Sequence, residues 1–262
     1  MTNLKSPAFF ISHGSPMMAV EKSKTAAFLQ QLGQSFARPK AIVVFSAHFD
    51  LPRDIVITRG RAPKTIHDFY GFPQPLYDIE YNAPGSPELA DNIADLFTEH
   101  GFSPVLDSEQ GWDHGVWVPL RLIYPQADIA VVEVSINSRL GADIHYQYGQ
   151  ILAPLRSDGV MIIGSGSISH NLKEVFNPSP EANSKERVQK FTAWVNAKLS
   201  AGDIDALLNY QNQAPELLFN HPTTEHFLPL FAALGSSDRR CVQRIHEDIE
   251  YEVLAMDAYQ FS

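Results

Sequence analysis

One cysteine, Cys241, stands among 262 residues. A lone thiol excludes an internal disulfide framework and any zinc site built from several thiolates, and it fits a reducing compartment. Positive charge is scarce as well: 20 Lys and Arg face 30 Asp and Glu, a formal net charge of −10. Nucleic acid is held chiefly by Lys and Arg that neutralise phosphates, so no nucleic-acid partner is expected. No apolar run approaches the ~20 residues of a membrane helix. The apolar stretch Ala8–Ile11 gives way to His13 too early for a secretory signal. These shortages predict a cytoplasmic protein with no membrane partner. What the chain does have is an ordinary globular composition, 44% hydrophobic and 19% charged, and ten histidines.

No internal repeat, low-complexity tract or linker divides the chain, so residues 1–262 are expected to form one domain. Short apolar runs bounded by turn residues read as buried strands at 8–12, 41–47, 54–58, 129–135 and 160–164. Helical patterns lie between them at 20–32, 143–155, 184–199 and 224–234, the last with Thr223 or Thr224 as cap. Another begins at Ser86-Pro87-Glu88, an N-cap followed by Pro at the first helical position, and ends at His100-Gly101. Strands apolar on both sides, alternating with helices, predict an α/β sandwich. It is built around a mostly parallel central sheet with helices on both faces. The tail from Cys241 to Phe261 alternates loosely and could add antiparallel strands. Residues 59–82 form a long segment rich in Pro, Gly and aromatics. A loop of that length is usually functional or disordered, and Phe69, Tyr70, Phe72, Tyr77 and Tyr81 argue for an ordered wall over a site.

Three histidines share one topological position. His13 follows the first strand, His48 closes the second, and His170 lies just past the 160–164 strand. Open α/β sheets bind ligands outside the carboxyl ends of their strands. If these strands are parallel neighbours, the three histidines converge there, either on a metal or as acid/base groups. Gly14 and Gly166 beside them fit close backbone approach or sharp turns. His226 and Glu225 read as residues at a helix start, the carboxylate favoured by the helix dipole. His114, in Gly111-Trp112-Asp113-His114-Gly115, reads as a loop residue that could present its ring to an aromatic ligand, or as an anchored turn. His67 is a candidate within the wall segment. His100, His145, His221 and His246 read as structural or exposed.

Several segments occur together in register. They are His13-Gly14-Ser15-Pro16, Ser46-Ala47-His48, Thr65-Ile66-His67-Asp68-Phe69, Gly71-Phe72-Pro73 and Tyr81 to Pro87. Asp113-His114-Gly115, Gly164 to Asn171 and Thr224-Glu225-His226 complete the set. In this order the chain resembles the DODA-type class III extradiol ring-cleavage dioxygenases, most closely their bacterial 4,5-DOPA group, from His13 to about Pro229. The resemblance implies an extradiol oxidoreductase that inserts both atoms of O2 into a small catecholic substrate. It implies one divalent metal ion ligated by His13 and His48, with His226 completing the shell. It makes His170 an acid/base or an added metal-shell residue, and sets His114, with His67, on the substrate side. Class III enzymes typically use two histidines and a glutamate, the facial arrangement of non-haem Fe(II). Here the pattern points to His226 over Glu225. Fe(II) is expected for ring cleavage, while an all-histidine shell also suits Zn(II) and leaves a zinc hydrolase as the alternative. The pocket so conceived is nearly free of carboxylates.

Overall fold

Strands that are apolar on both sides must be covered on both sides, and that requirement sets the architecture. The computed structural model describes residues 5–53, 55–179, 183–238 and 242–262. Its strands are β1 (Ala8–Ser12), β2 (Ala41–Asp50), β3 (Val56–Thr58), β4 (Val105–Asp107), β5 (Ala130–Ile136), β6 (Val160–Gly166), β7 (Val242–His246), β8 (Ile249–Glu250), β9 (Leu254–Ala255) and β10 (Ala258–Phe261). Eight of them form one sheet in the order β4-β3-β5-β2-β6-β1-β10-β7, and β8 pairs with β9 apart from it. The central run β5-β2-β6-β1 is parallel throughout. β3 lies antiparallel to β5 at one end, and β10 lies antiparallel to β1 at the other. The expected α/β sheet is present, and the tail supplies the antiparallel edge. Asp54, at the start of one expected strand, and Cys241, at the start of the tail, lie outside the described residues.

The sheet has distinct layers on its two faces, and β6 shows why. Its Gly164 and Gly166 point to one side, where helix Leu228–Gly235 lies so close that a β-carbon on Gly164 would stand 2.1 Å from the Pro229 carbonyl oxygen. Ser165 points to the other side and donates a hydrogen bond to the Gly115 carbonyl, in helix His114–Ile123. One continuous apolar cluster joins both layers to the sheet.

Several helix boundaries depart from the sequence reading, each for a local reason. The first long helix is Lys24–Ser35 rather than 20–32, because the Ser23 hydroxyl caps the Ala26 N–H. Gly33 does not stop it: the residue is small because the Ile123 carbonyl oxygen lies 2.0 Å from where its β-carbon would be. The helix expected at 143–155 is Ala142–Leu152, and Pro154 sits in a 3-10 turn beyond it. The helix expected at 224–234 is Leu228–Gly235, so His226 lies in the turn before it. Thr224 does not cap that helix with its side chain, which donates to Ser138 O instead. Helix Pro87–Glu99 begins at the Ser86 cap as the sequence indicates. Helix His114–Ile123 is absent from the sequence reading: it runs unbroken through Pro119, a residue that along the chain reads as a helix breaker.

Candidate metal centre

Parallel strands deliver their carboxyl ends to one edge of the sheet, and β6 lies between β1 and β2. His13 follows directly on β1. His48 falls where the register of β2 against β5 shifts between Phe45 and Asp50, an irregularity of the kind that re-aims a side chain. The two rings meet with His13 Nε2 and His48 Nε2 3.1 Å apart. His226 comes in over the opposite face. Gly166 leaves the room for it, and Ser167 N–H donates to His226 O at 2.8 Å. His114 is the first residue of its helix, not part of a loop as expected, because the Asp113 side chain caps Val116 N–H. Its ring centroid lies 3.8 Å from that of His48 and 5.3 Å from that of His13.

The tautomers follow from what each Nδ1 faces. The Ser165 hydroxyl gives its proton to Gly115 O, so His13 Nδ1–H donates to Ser165 Oγ at 3.0 Å. His114 Nδ1–H donates to Asp68 Oδ2 at 2.9 Å, and His48 Nδ1 faces the same oxygen at 3.3 Å. His226 Nδ1–H donates to Glu225 Oε1 at 2.9 Å. Each ring therefore turns the lone pair of Nε2 inward, and His226 Nε2 is buried with no partner. Burial first, and then the neighbouring histidines, push His13 and His226 well below the ordinary histidine range. Burial and then His114 pull His48 down to about 3, against the opposing pull of Asp68. Unprotonated His13, His48 and His226 pack ring to ring, His13 and His226 each hydrogen-bonded at Nδ1, which is a feature of metal-ligating histidines. Two nitrogens each ~2.1 Å from a shared ion stand about 3.0–3.4 Å apart at octahedral to tetrahedral angles. The His13–His48 separation suits that arrangement, so the residues fit a divalent ion.

Among the described residues two groups could hold such an ion, and they divide the expected ligands: His13 and His48 group with His114, whereas His226 groups with His170 and Glu225. His170 packs flat on His226, with ring centroids 3.4 Å apart and planes within 8°. Burial lowers its pKa to about 4, with Glu225 opposing. The pocket is not carboxylate-free as the sequence suggested. Glu225 does not sit as a helix-dipole partner but braces His226, and Asp68 braces His114 through its ring and, at 3.0 Å, its N–H, while lying within ion-pair distance of His48. Burial would raise Asp68, but the hydrogen bond and charge of His114, joined by His48, hold it below the ordinary carboxylate range. Asp68 was legible only as part of a shared motif. Its neighbour His67 turns aside and donates Nε2–H to Ile79 O at 3.1 Å.

The aromatic wall is ordered, as expected, yet only part of it faces the histidines. Phe69 lies 5.8 Å from His114 and packs with Phe72, Tyr77 and Trp117. Tyr70 points out, 93% exposed, and Tyr81 is buried with its hydroxyl donating to Tyr124 O. The segment is pinned over the start of the His114 helix by Ile66 N–H on Trp112 O and Trp112 N–H on Lys64 O. The four histidines read as bland are so placed. His145 is locked between Asn137 N–H and Gly141 O, His221 bonds Ile168 O, His246 bonds Thr25, and His100 is exposed.

A family profile described as the catalytic LigB subunit of aromatic ring-opening dioxygenase matches residues 7–261. The chain belongs to this LigB family. Membership makes it an extradiol ring-cleaving dioxygenase and favours that chemistry over the hydrolase alternative. LigB-family enzymes are metal-dependent, in keeping with the histidine groups described above. Among curated relatives, the 4,5-DOPA dioxygenase extradiol of Beta vulgaris is 41% identical over 263 residues, covering 97% of this chain and 96% of the relative. The protein of the same name from Escherichia coli K12 is 42% identical over 247 residues, covering 91% and 88%. A crystal structure of an uncharacterized Escherichia coli K12 protein superposes with a TM-score of 0.80 at 34% identity, covering 98% of this chain and all of that one. The LigB fold therefore extends over essentially the whole chain. Among the described residues no helix is long and apolar enough to cross a membrane.

Proposed function

We propose that this LigB-family enzyme opens the ring of a DOPA-like catechol with O2, with residues 1–262 acting as one catalytic domain. The observation that carries the reading is the meeting of His13 and His48, with Nε2 atoms 3.1 Å apart, beside the His226 ring, whose centroid lies 5.4 and 5.0 Å from theirs and whose Nε2 is buried without a partner. In this reading those three hold the metal, and Fe(II) is the active ion, with Zn(II) an alternative resting occupant of the same shell. Bound Fe(II) supplies the one-electron chemistry that ground-state O2 needs to react with a closed-shell aromatic.

The chain's own side chains do the rest. His170 is neutral at physiological pH, so its ring can take a proton from a catechol hydroxyl and return it as the ring opens. It can join the metal shell only at the cost of that proton-carrying nitrogen. His114 offers Nε2 as an acceptor to the second hydroxyl, and Asp68 fixes the angle of its ring. Phe69, with His67 behind it, forms the apolar side against which the substrate ring rests. Among the described residues no Lys or Arg hydrogen-bonds or ion-pairs with these side chains, so in this reading the ion supplies the attraction for a catecholate. A cytoplasmic location goes with this reading, because a reducing compartment keeps iron ferrous and the lone cysteine free.

Anaerobic loading with Fe(II), followed by O2 and L-DOPA or simple catechols, should give a yellow semialdehyde with matching O2 uptake. Neither colour nor uptake across a broad catechol panel would sink the proposal.

A further inference from the structure

Beneath the histidines lies a polar layer on an otherwise apolar face of the sheet. Register places Glu133 of β5 beside Val44 of β2, and Ser46 of β2 beside Ser165 of β6. Strand side chains alternate, so Glu133, Ser46 and Ser165 share the face covered by helix His114–Ile123. That helix can sit so low because Gly115 has no side chain: a β-carbon there would stand 2.4 Å from Ser46 Oγ and 3.3 Å from His13 Nδ1.

Glu133 is the odd member. It is wholly buried on a central strand, and neither of its oxygens meets an N–H or hydroxyl donor. Asp113 Oδ2 is equally bare, and Asp113 enters the same dry layer through its other oxygen, which accepts the Ser46 hydroxyl. Two neighbouring carboxyl groups out of water do not both stay ionised, so one of them carries a proton. The surroundings say which. Asp113 Oδ1 receives the Ser46 hydroxyl at 2.7 Å and Val116 N–H at 3.2 Å, at the positive end of a helix. Glu133 receives nothing comparable, so the negative charge sits on Asp113 and the proton on Glu133. Ser46 Oγ in turn accepts His48 N–H at 3.2 Å.

We propose that Glu133 is a positioning residue, a buried neutral acid whose proton holds Asp113 in place and, through Asp113 and Ser46, stations His114 and His48. Burial first, and then the charge of Asp113, push the Glu133 carboxyl well above the ordinary range, in agreement with that role. Asp68 adds to the same push from above the layer. The inference extends the proposed metal reading, because the histidines it stations are the ones assigned to the ion and the substrate.

The test uses the whole chain without turnover. An infrared difference spectrum of wild type against Glu133→Gln, taken on metal-free protein at neutral pH, should show loss of a protonated-carboxyl C=O band. Loss of a carboxylate band instead would overturn the proposal. Chelator competition should show Glu133→Leu binding the divalent ion about 10–100-fold more weakly, the range seen when outer partners of metal ligands are removed. Glu133→Gln, whose amide can donate to Asp113, should recover most of that loss. Equal affinity in Glu133→Leu and wild type, or a Gln variant as weak as the Leu variant, would overturn the positioning role. Should Glu133→Leu fail to fold, the infrared result and the affinity of Glu133→Gln still decide. Absence of catechol turnover in the wild type would count against the proposed function and leave these readouts standing.

Discussion

Gly166 lies directly beneath His226, so close that a β-carbon on Gly166 would stand 2.1 Å from the His226 carbonyl oxygen. The last of the site histidines along the chain thus reaches its place because a strand residue has no side chain. Backbone cannot yield as a flexible side chain can, so Gly166→Ala should cost about 1–3 kcal/mol, the usual range for overpacking. Thermal unfolding would read that loss. Metal affinity should fall with it, and a variant with unchanged midpoint and affinity would show that the contact is relaxed at no cost.

Asp68 should matter more than its partial exposure suggests, since one carboxylate braces His114 and lies 3.3 Å from His48 Nδ1. Asp68→Asn can accept at only one oxygen and presents an N–H at the other. A drop of about 10–100-fold in metal affinity or turnover is expected, measured by chelator competition and steady-state kinetics.

The assignment of ligand and substrate roles separates His226 from His114. His13→Ala, His48→Ala and His226→Ala should each leave protein that retains little metal after dialysis. His114→Ala should keep its metal and lose turnover, with His67→Ala raising KM at a nearly unchanged kcat. Metal analysis of the four alanine variants beside catechol kinetics checks the division. Loss of metal in His114→Ala with retention in His226→Ala would reverse it.

Away from the site, His221 predicts an acid weakness. It is buried between Phe191 and Phe227, its Nδ1 has no partner, and burial lowers its pKa from 6.5 to about 4. The unfolded chain therefore binds a proton that the fold refuses between those two values. Stability should fall as pH drops from about 6.5 towards 4, by up to ~3 kcal/mol from this group. His145, lowered in the same direction by burial, adds to the trend. Denaturant midpoints of His221→Asn across that range should fall less steeply than those of wild type.

Much of this molecule is local and therefore legible in the chain. Apolar runs became β1, β2, β5 and β6 to within a few residues, because strands buried on both faces carry no competing signal. Ser86-Pro87 began a helix because capping is decided within four residues. By contrast, helix His114–Ile123 carries a proline in its middle, a residue that argues against a helix when only the chain is read. The start of the Leu228 helix was misplaced because Thr224 bonds a distant carbonyl rather than its own turn.

The sequence by itself determined the parallel α/β sheet and the set of histidines at its carboxyl edge, since strand periodicity and residue identity depend only on neighbours along the chain. Tertiary structure alone decided which nitrogen of each ring faces inward. The acceptors that fix them, Asp68, Glu225 and the Ser165 hydroxyl, reach their histidines largely through packing. The Asp113–Glu133 pair was likewise invisible in the chain, because two carboxyls share a proton only when burial brings them together out of water. The inward-facing Nε2 atoms of His13 and His226 exist only because folding supplied each ring with a partner at its other nitrogen.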